Sequence, residues 1–258
     1  PLDDASPCVD GRGLEPGVTY WFRARCTNAE GRLGPWPDGV APRLAPVGPV
    51  LHSVAAPSGH LASEGGDAVV LVGEHLGRIG ASVAVTYTNG EFVFNATECE
   101  HVVEFTSVVC LSAAGVGVGY RFAIQVDGEW SGYSSLNGTL AYQPPTVSGF
   151  EGNGSSLAMT NGGEIIEIYG RNFGPASLSA IEAVTATAIE LEGASFDADP
   201  AQCFIVEDHV HIRCVTPAGV GRLLTWSVVV ASQQSSAPFS RYARPVIREV
   251  GVEGVDGV

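Results

Sequence analysis

The chain has 258 residues, of which 45% are hydrophobic, and it contains 33 glycines and 16 prolines. Its 28 acidic residues outnumber 13 basic residues, all of them arginine, which gives a formal net charge of −15. Phosphate backbones and anionic membrane surfaces attract clustered basic residues, so the composition disfavours both, and we expect no nucleic-acid partner.

Residues 1–48 differ from the rest of the chain. The stretch LEPGVTYWFRARCTNAEGRLGPWP (14–37) resembles the last two strands of a fibronectin type III domain. The resemblance rests on a tyrosine-corner pattern and on a tryptophan after the final turn: Leu14, Pro16, Gly17, Tyr20 and Trp36. It implies that residues 1–48 are the C-terminal part of such a domain, and we expect the chain to be a segment of a longer protein. The segment shows no signal peptide or membrane-spanning run, and we expect it not to insert into a membrane.

The following residues repeat one unit. GGDAVVLVGEHLG (65–77) returns as GGEIIEIYGRNFG (162–174), and CLSAAGVG (110–117) returns as CVTPAGVG (214–221). Each copy closes with a tyrosine three residues before a proline, at YQPP and YARP. Because a repeat sets the unit of folding, we predict domains at 49–144 and 145–244 and the start of a third at 245–258.

Short runs of apolar or alternating residues, separated by Gly, Asn, Ser and Pro, predict an all-β fold. The stretch SLSAIEAVTATAIELEG (177–193) could form a helix, but its Thr, Val and Ile content favours strands at least as well. The alternation in VHIRC predicts a strand whose inward-facing residues are Val210, Ile212 and Cys214. The residues that alternate with them, His209, His211 and Arg213, are predicted to face water.

Several motifs together resemble the IPT/TIG domain, an immunoglobulin-like β-sandwich. They are the proline start, GG before a β-rich run, GRNFG, two cysteines flanking a strand, and PAGVG. The resemblance covers residues 49–245, and the second copy matches better, since the first has GEHLG for GRNFG and Ser112–Ala113 for Thr216–Pro217. It implies tandem immunoglobulin-like β-sandwiches.

The six cysteines fall into local pairs, each inside one proposed domain, and none has the CxxC spacing of zinc or thioredoxin-like sites. The gap is the same in both copies, which favours disulfides over the alternative of free, buried thiols in a cytosolic protein. Each bridge would stabilise its sandwich by about 3 kcal/mol. The predicted pairs are Cys8–Cys26, Cys99–Cys110 and Cys203–Cys214.

Three N-glycosylation sequons occur, at Asn95, Asn137 and Asn153. We predict a glycan on at least one, with Asn137 the first choice because SGYSSLNGTL is typical of an exposed turn. Together with the cysteine pairs, the sequons favour a secreted or cell-surface eukaryotic protein. The arginine-only basic set is typical of a GC-rich genome and suggests a green-alga-like source.

Three groups of residues have side chains that can bind metal ions, and for each we favour a solvated surface instead. They are Glu207, Asp208, His209 and His211; Asp3 and Asp4; and Asp197 and Asp199. GVGVG (115–119) is similar to a phosphate-binding loop, but no helix pattern follows it, so we predict a turn between strands. No catalytic motif can be assigned, and we expect no enzyme activity, metal or cofactor.

The junctions YQPPTV (142–147) and YARPVI (242–247) leave almost no linker between units. Proline restricts itself and the residue before it, so we predict end-to-end stacking into a semi-rigid rod. The alternative is a set of beads with free hinges.

Two functions are compatible with this organisation. The first is a non-catalytic structural or adhesion segment of a large secreted or cell-surface protein, as in plexin-like receptors, fibrocystin-like proteins, or algal cell-coat and ciliary-surface proteins. Its partners would be other extracellular or cell-surface proteins or glycans, including copies of itself. The second is a set of accessory modules in a secreted polysaccharide-active enzyme, which a catalytic domain elsewhere in the full chain would reveal.

Overall fold

The computed structural model describes residues 19–21, 31–32, 42–44, 48–135, 139–156, 158–235, 239–242 and 246. Within this part of the chain the strands pair antiparallel, which confirms the predicted fold class of tandem immunoglobulin-like β-sandwiches. The first two strands, β1 (Thr19–Trp21) and β2 (Pro42–Leu44), pair with each other. Other residues of the predicted fibronectin-like segment lie outside the described residues, namely Asp3, Asp4, Cys8, Leu14, Pro16, Gly17, Cys26 and Trp36.

The first sandwich, module 1, contains β3 (Val50–Ala55), β4 (Ala68–Glu74), β5 (Val83–Thr88), β6 (Val93–Val103), β7 (Ser107–Leu111), β8 (Arg121–Val126) and β9 (Glu129–Trp130). Their order is β3-β4-β7-β6-β5-β8-β9. The long strand β6 belongs to both layers, because its first residues pair with β5 and its later residues pair with β7. The change of layer falls at Glu98, which has a φ of 50° and lies within a register shift.

The second sandwich, module 2, contains β10 (Thr146–Glu151), β11 (Ile165–Arg171), β12 (Ile181–Ala188), β13 (Ala194–Ala198), β14 (Phe204–Glu207), β15 (His211–Val215), β16 (Leu224–Val230), β17 (Gln233–Gln234) and β18 (Phe239–Ser240). One sheet has the order β10-β11-β15-β14, and the other has the order β13-β12-β16-β17 with β18 also paired to β16. A 3-10 helix at Pro200–Gln202 separates β13 from β14, where module 1 has a single long strand.

The stretch 177–193 forms a strand flanked by two single-turn 3-10 helices, Ala176–Leu178 and Ile189–Leu191. Every second residue of this strand is buried in the core, namely Val184, Ala186 and Ala188. The Thr, Val and Ile content therefore predicted the structure of this stretch correctly.

The VHIRC prediction is correct for part of its length. Ile212 and Cys214 are fully buried and Arg213 is exposed, but β15 begins only at His211. His209 and Val210 belong to the preceding turn, where His209 has a φ of 68°, so neither lies on the predicted strand face. The turn interrupts the two-residue alternation on which the prediction depends.

The first glycine of each GG pair occupies a position that other residues tolerate poorly. Gly65 and Gly162 have φ values of 79° and 70°, and a Cβ on either would lie 2.6 Å from backbone atoms of the loop after the second cysteine. Both the positive φ and the close approach exclude a side chain. The repeated glycines therefore hold that loop against the start of β4 and β11.

Candidate functional site

The described residues contain no group of three or more His, Cys, Asp or Glu side chains that could hold a metal ion. The two candidate histidines point to different partners. Nε2 of His211 lies 2.8 Å from Glu167 Oε2 on the sheet surface, whereas Nδ1 of His209 lies 3.0 Å from Ser63 Oγ in module 1. Asp208 accepts a hydrogen bond from the Ala176 amide at 2.8 Å. The structure therefore does not bring these residues together as a metal site.

Glu167 is the centre of a charged cluster on the outer face of module 2. Its carboxylate contacts His211 and accepts a hydrogen bond from Arg213 Nε at 2.8 Å, and the His211 ring stacks on Tyr169 with ring centroids 4.4 Å apart. Burial opposes ionisation of Glu167, but the hydrogen bonds with Arg213 and His211 outweigh it and lower the pKa of the carboxyl. The cluster ties β11 to β15 by a paired charge.

A cleft of about 460 Å³ lies beside β13 and the β15–β16 loop, and its lining includes Phe196, Asp197 and Asp199. Asp197 accepts a hydrogen bond from Thr185 Oγ1 at 2.7 Å. Asp199 accepts from the Ala201 amide at 3.0 Å and from Gln202 Nε2 at 3.2 Å. These carboxylates are thus held by hydrogen bonds within module 2.

Two of the three predicted disulfides are present in the described residues. Cys99–Cys110 and Cys203–Cys214 each join residues 11 positions apart, at equivalent places in the two modules. Asn95 and Asn153 are exposed, whereas Asn137 lies outside the described residues. Glycosylation of all three asparagines stays a prediction.

A ring of hydrogen bonds between buried tyrosines holds the β7–β8 loop of module 1. The Ala113 amide donates to Tyr87 Oη at 2.9 Å, and Tyr142 Oη donates to the Ala113 carbonyl at 2.8 Å. Since the Tyr142 proton is used there, Tyr87 is the donor in the 2.8 Å contact between the two hydroxyls. Burial raises the pKa of both tyrosines, so they stay neutral donors. Tyr120 Oη donates to the Val116 carbonyl at 2.6 Å and holds the same loop.

The β7–β8 loop of module 1 provides the buried residue of the apolar contact between the modules. Val116, from module 1, is only 2% exposed and belongs to the hydrophobic core of module 2. Gly174 faces it, and a Cβ on Gly174 would lie 2.2 Å from Val116 Cγ1. Phe92 of module 1 and Leu178 of module 2 pack against both cores. We call this contact region the junction.

Hydrogen bonds surround Val116 at the junction. Gln233 Oε1 accepts from the Gly117 amide at 3.2 Å, while its Nε2 donates to the Tyr142 carbonyl at 2.8 Å. On another side, Ser63 Oγ lies 3.0 Å from His209 Nδ1. Three segments of module 1, namely the β3–β4 loop, the β7–β8 loop and the closing segment, are thus tied to module 2.

Sequence reasoning missed these junction residues. The prediction for GVGVG was a turn between strands, and the segment does connect β7 to β8. In addition, Val116 of this segment contacts module 2. The available signal was an apolar residue between glycines in a loop phrase, AGVG, that occurs in both copies. The sequence did not indicate the contacts of Gln233 and His209 with module 1, because these contacts join positions 91 and 146 residues apart.

None of the helices in the described part of the chain is long and apolar enough to cross a membrane.

The sequence matches no protein-family model and no curated protein. Among solved structures, similarity extends to the Yersinia pseudotuberculosis adhesin InvE, at 11% identity over 74% of this chain and 60% of that chain with a TM-score of 0.37. It also extends to the Escherichia coli adhesin FdeC, at 12% identity over 90% of this chain and 87% of that chain with a TM-score of 0.34.

A third similar structure is SGBP-B from a xyloglucan utilization locus of Bacteroides uniformis, at 14% identity over 75% of this chain, with a TM-score of 0.29. The chain spans 49% of that protein and 18% of a plexin A4 extracellular region that it also resembles. These similarities are too distant to carry a functional argument, which rests on the chain itself.

Proposed function

We propose that the chain is a non-catalytic structural segment of a secreted or cell-surface protein. In this proposal, tandem IPT/TIG-type sandwiches stack as a semi-rigid rod and present their lateral surfaces to other extracellular proteins or glycans. The observation that carries it is the junction, where Val116 of module 1 lies in the core of module 2.

Hinge motion would have to break this contact. Exposing the buried Val116 side chain would cost about 2 kcal/mol, and each hydrogen bond of the junction about 1 kcal/mol. Because the contacts involve three separate segments of module 1, a hinge motion that separates the modules would have to break several of them. These costs favour a single relative orientation over freely hinged beads.

The extracellular setting is supported by the cysteine chemistry. The bridges Cys99–Cys110 and Cys203–Cys214 are of a kind that persists in oxidising compartments. The sequon residues Asn95 and Asn153 are both exposed, so an oligosaccharide could be attached there without disturbing the core.

The rod can be tested with Val116→Asp and a control in the same loop, Val118→Asp. Val118 is 40% exposed, so a charge there should be harmless, whereas a charge at Val116 would have to be buried or would open the junction. We expect small-angle scattering and inter-module distance distributions to show one narrow arrangement for the unmodified chain and for V118D. For V116D we expect a broad ensemble. A broad ensemble in the unmodified chain would refute the rod.

The non-catalytic part of the proposal has its own test. The purified chain should hydrolyse none of a panel of soluble polysaccharides, and any hydrolysis that copurifies with it would contradict the proposal. A polysaccharide-hydrolase domain in the full-length reading frame would instead favour accessory modules of a polysaccharide-active enzyme.

A further inference from the structure

Module 2 carries, at the end that points away from module 1, the same loops with which module 1 contacts it. In module 1 the Gly115 amide donates to the Ser63 carbonyl at 2.8 Å, and in module 2 the Gly219 amide donates to the Thr160 carbonyl at 2.9 Å. The β15–β16 loop of module 2 is therefore the spatial counterpart of the β7–β8 loop that makes the junction.

Equivalent residues differ sharply in exposure at the two ends. Val116 is 2% exposed at the junction, but its counterpart Val220 is 48% exposed. Ser63 is fully buried, but its counterpart Thr160 is exposed. The loop that is covered in module 1 is thus left open in module 2.

Other apolar side chains surround Val220. The exposed set at this end, which we call the distal face, is Met159 (57%), Ile189 (54%), Leu191 (42%), Val220 (48%) and Leu223 (44%). The loops that carry these side chains are neighbours, because the Ile189 amide donates to the Leu223 carbonyl at 3.1 Å and the loop of Val220 is bonded to the loop of Met159.

Charged groups border the distal face. The Arg222 amide donates to Glu190 Oε1 at 2.7 Å, and the guanidinium of Arg222 lies 3.8 Å from the same oxygen. An exposed apolar cluster with a polar edge is typical of an interaction surface.

We propose that the distal face docks a further β-sandwich module, which follows directly after Tyr242 and stacks in the geometry of the junction. Two features of the chain indicate this occupant. YARPVI at this end repeats YQPPTV at the junction, and the tyrosine of each sequence makes the same backbone hydrogen bond. The Tyr142 amide donates to the Gly117 carbonyl at 2.9 Å, and the Tyr242 amide donates to the Gly221 carbonyl at 2.8 Å. This inference rests on the proposed rod function and extends it to a second joint.

The occupant must offer what module 2 offers to Val116. The first feature is a glycine at the position of Gly174, where a Cβ would collide with the valine of the loop. The second is an amide side chain, like that of Gln233, that accepts a hydrogen bond from the backbone of the same loop. Module 2 meets both requirements, so a copy of it can serve as the test partner.

The test chain is residues 1–244 followed directly by residues 145–258, which places a copy of module 2 after the distal face. Nitroxide labels on an unnatural amino acid, which leave the disulfides intact, report distance distributions across each joint separately. We expect the second joint to be as narrow as the first. A broad second joint beside a narrow first one would overturn the inference and leave the rod proposal standing, whereas two broad joints would refute the rod itself.

A matched pair of substitutions tests the role of Val220: Val220→Asp in the first of the two copies, and Val206→Asp as its control. Both valines are 48% exposed, but Val206 lies in β14, away from the distal face. We expect V220D to abolish the narrow distribution at the second joint and V206D to preserve it, with unchanged thermal unfolding of module 2 in both. Equal distributions in the two variants would overturn the inference. Dimerisation of the 258-residue chain that V220D abolishes would also overturn it, because the occupant would then be a second copy.

Discussion

The two modules fill the same position of the same fold with different residues. On the β5–β8 pair of module 1, Tyr87 lies opposite Phe122, and the rings stack 4.6 Å apart. On the corresponding β12–β16 pair of module 2, Ala186 lies opposite Trp226. Two medium rings are replaced by one large and one small side chain. The comparison teaches that the same facing position accepts either two rings of similar size or one large ring opposite a methyl group, so the fold fixes neither residue.

The polar part of the core differs as well. Module 1 satisfies the Tyr142 hydroxyl within a ring of hydrogen bonds that includes Tyr87 and Ala113. In module 2, Tyr242 Oη donates to the Pro217 carbonyl at 3.0 Å, and Trp226 Nε1 donates separately to Ser240 Oγ. Tyrosine hydroxyls therefore bind the loop of module 1 through a cooperative network, whereas in module 2 the Tyr242 hydroxyl makes one hydrogen bond to the corresponding loop.

The largest effect should come from truncating the buried Trp226 side chain of module 2. Trp226→Ala should destabilise module 2 by about 4 kcal/mol, because Ala186 opposite it cannot fill the cavity. Placing the module 1 pair in module 2, as Ala186→Tyr with Trp226→Phe, should cost much less than W226A. Hydrogen exchange of the β16 amides would measure both. A double variant as unstable as W226A would show that module 2 cannot accept the residue pair of module 1.

The tyrosine networks provide a smaller contrast. Tyr142→Phe leaves the Ala113 carbonyl without its donor and the Tyr87 hydroxyl proton without its acceptor, so we expect a loss of about 2 kcal/mol in module 1. Tyr242→Phe removes one donor from the Pro217 carbonyl and should cost module 2 about 1 kcal/mol. Urea unfolding followed by hydrogen exchange in each module would compare them, and equal costs would argue against cooperativity in the ring.

The smallest contrast is electrostatic. Where module 2 pairs Glu167 with Arg213, module 1 pairs Val70 with Val109. Because the hydrogen bonds outweigh burial and lower the pKa of Glu167 below its ordinary value of 4.5, its stabilisation is present above that value and is lost as the pH falls through the folded-state pKa. We expect Glu167→Gln to cost module 2 about 1 kcal/mol at neutral pH and to lose this deficit in acid. Unfolding of E167Q and the unmodified chain across pH 3 to 7 tests this, and a deficit that persists at the acid end would refute it.

The sequence predicted what depends on local pattern. The repeated GG, the cysteine spacing and the alternation at Ile212 and Cys214 led to the sandwiches and to two disulfides. Alternation failed at His209 because a turn with positive φ carries no apolar signature. The junction could not be predicted because its partners are distant in sequence and differ between copies, with Gln233 in β17 where β9 of module 1 has Glu129.

The contact of Val116 with module 2 also determines the symmetry of any stack that is built from this contact. The junction joins two unlike faces, since the loop end of one sandwich meets the opposite end of the next, and a contact of this kind has no two-fold axis. At the end of module 1 that lies opposite the junction, Phe105 is 53% exposed and occupies the position that His209 has in module 2. Head-to-tail contacts give a stack a direction and propagate it without closure, so growth ends only at a unit whose outer face is polar.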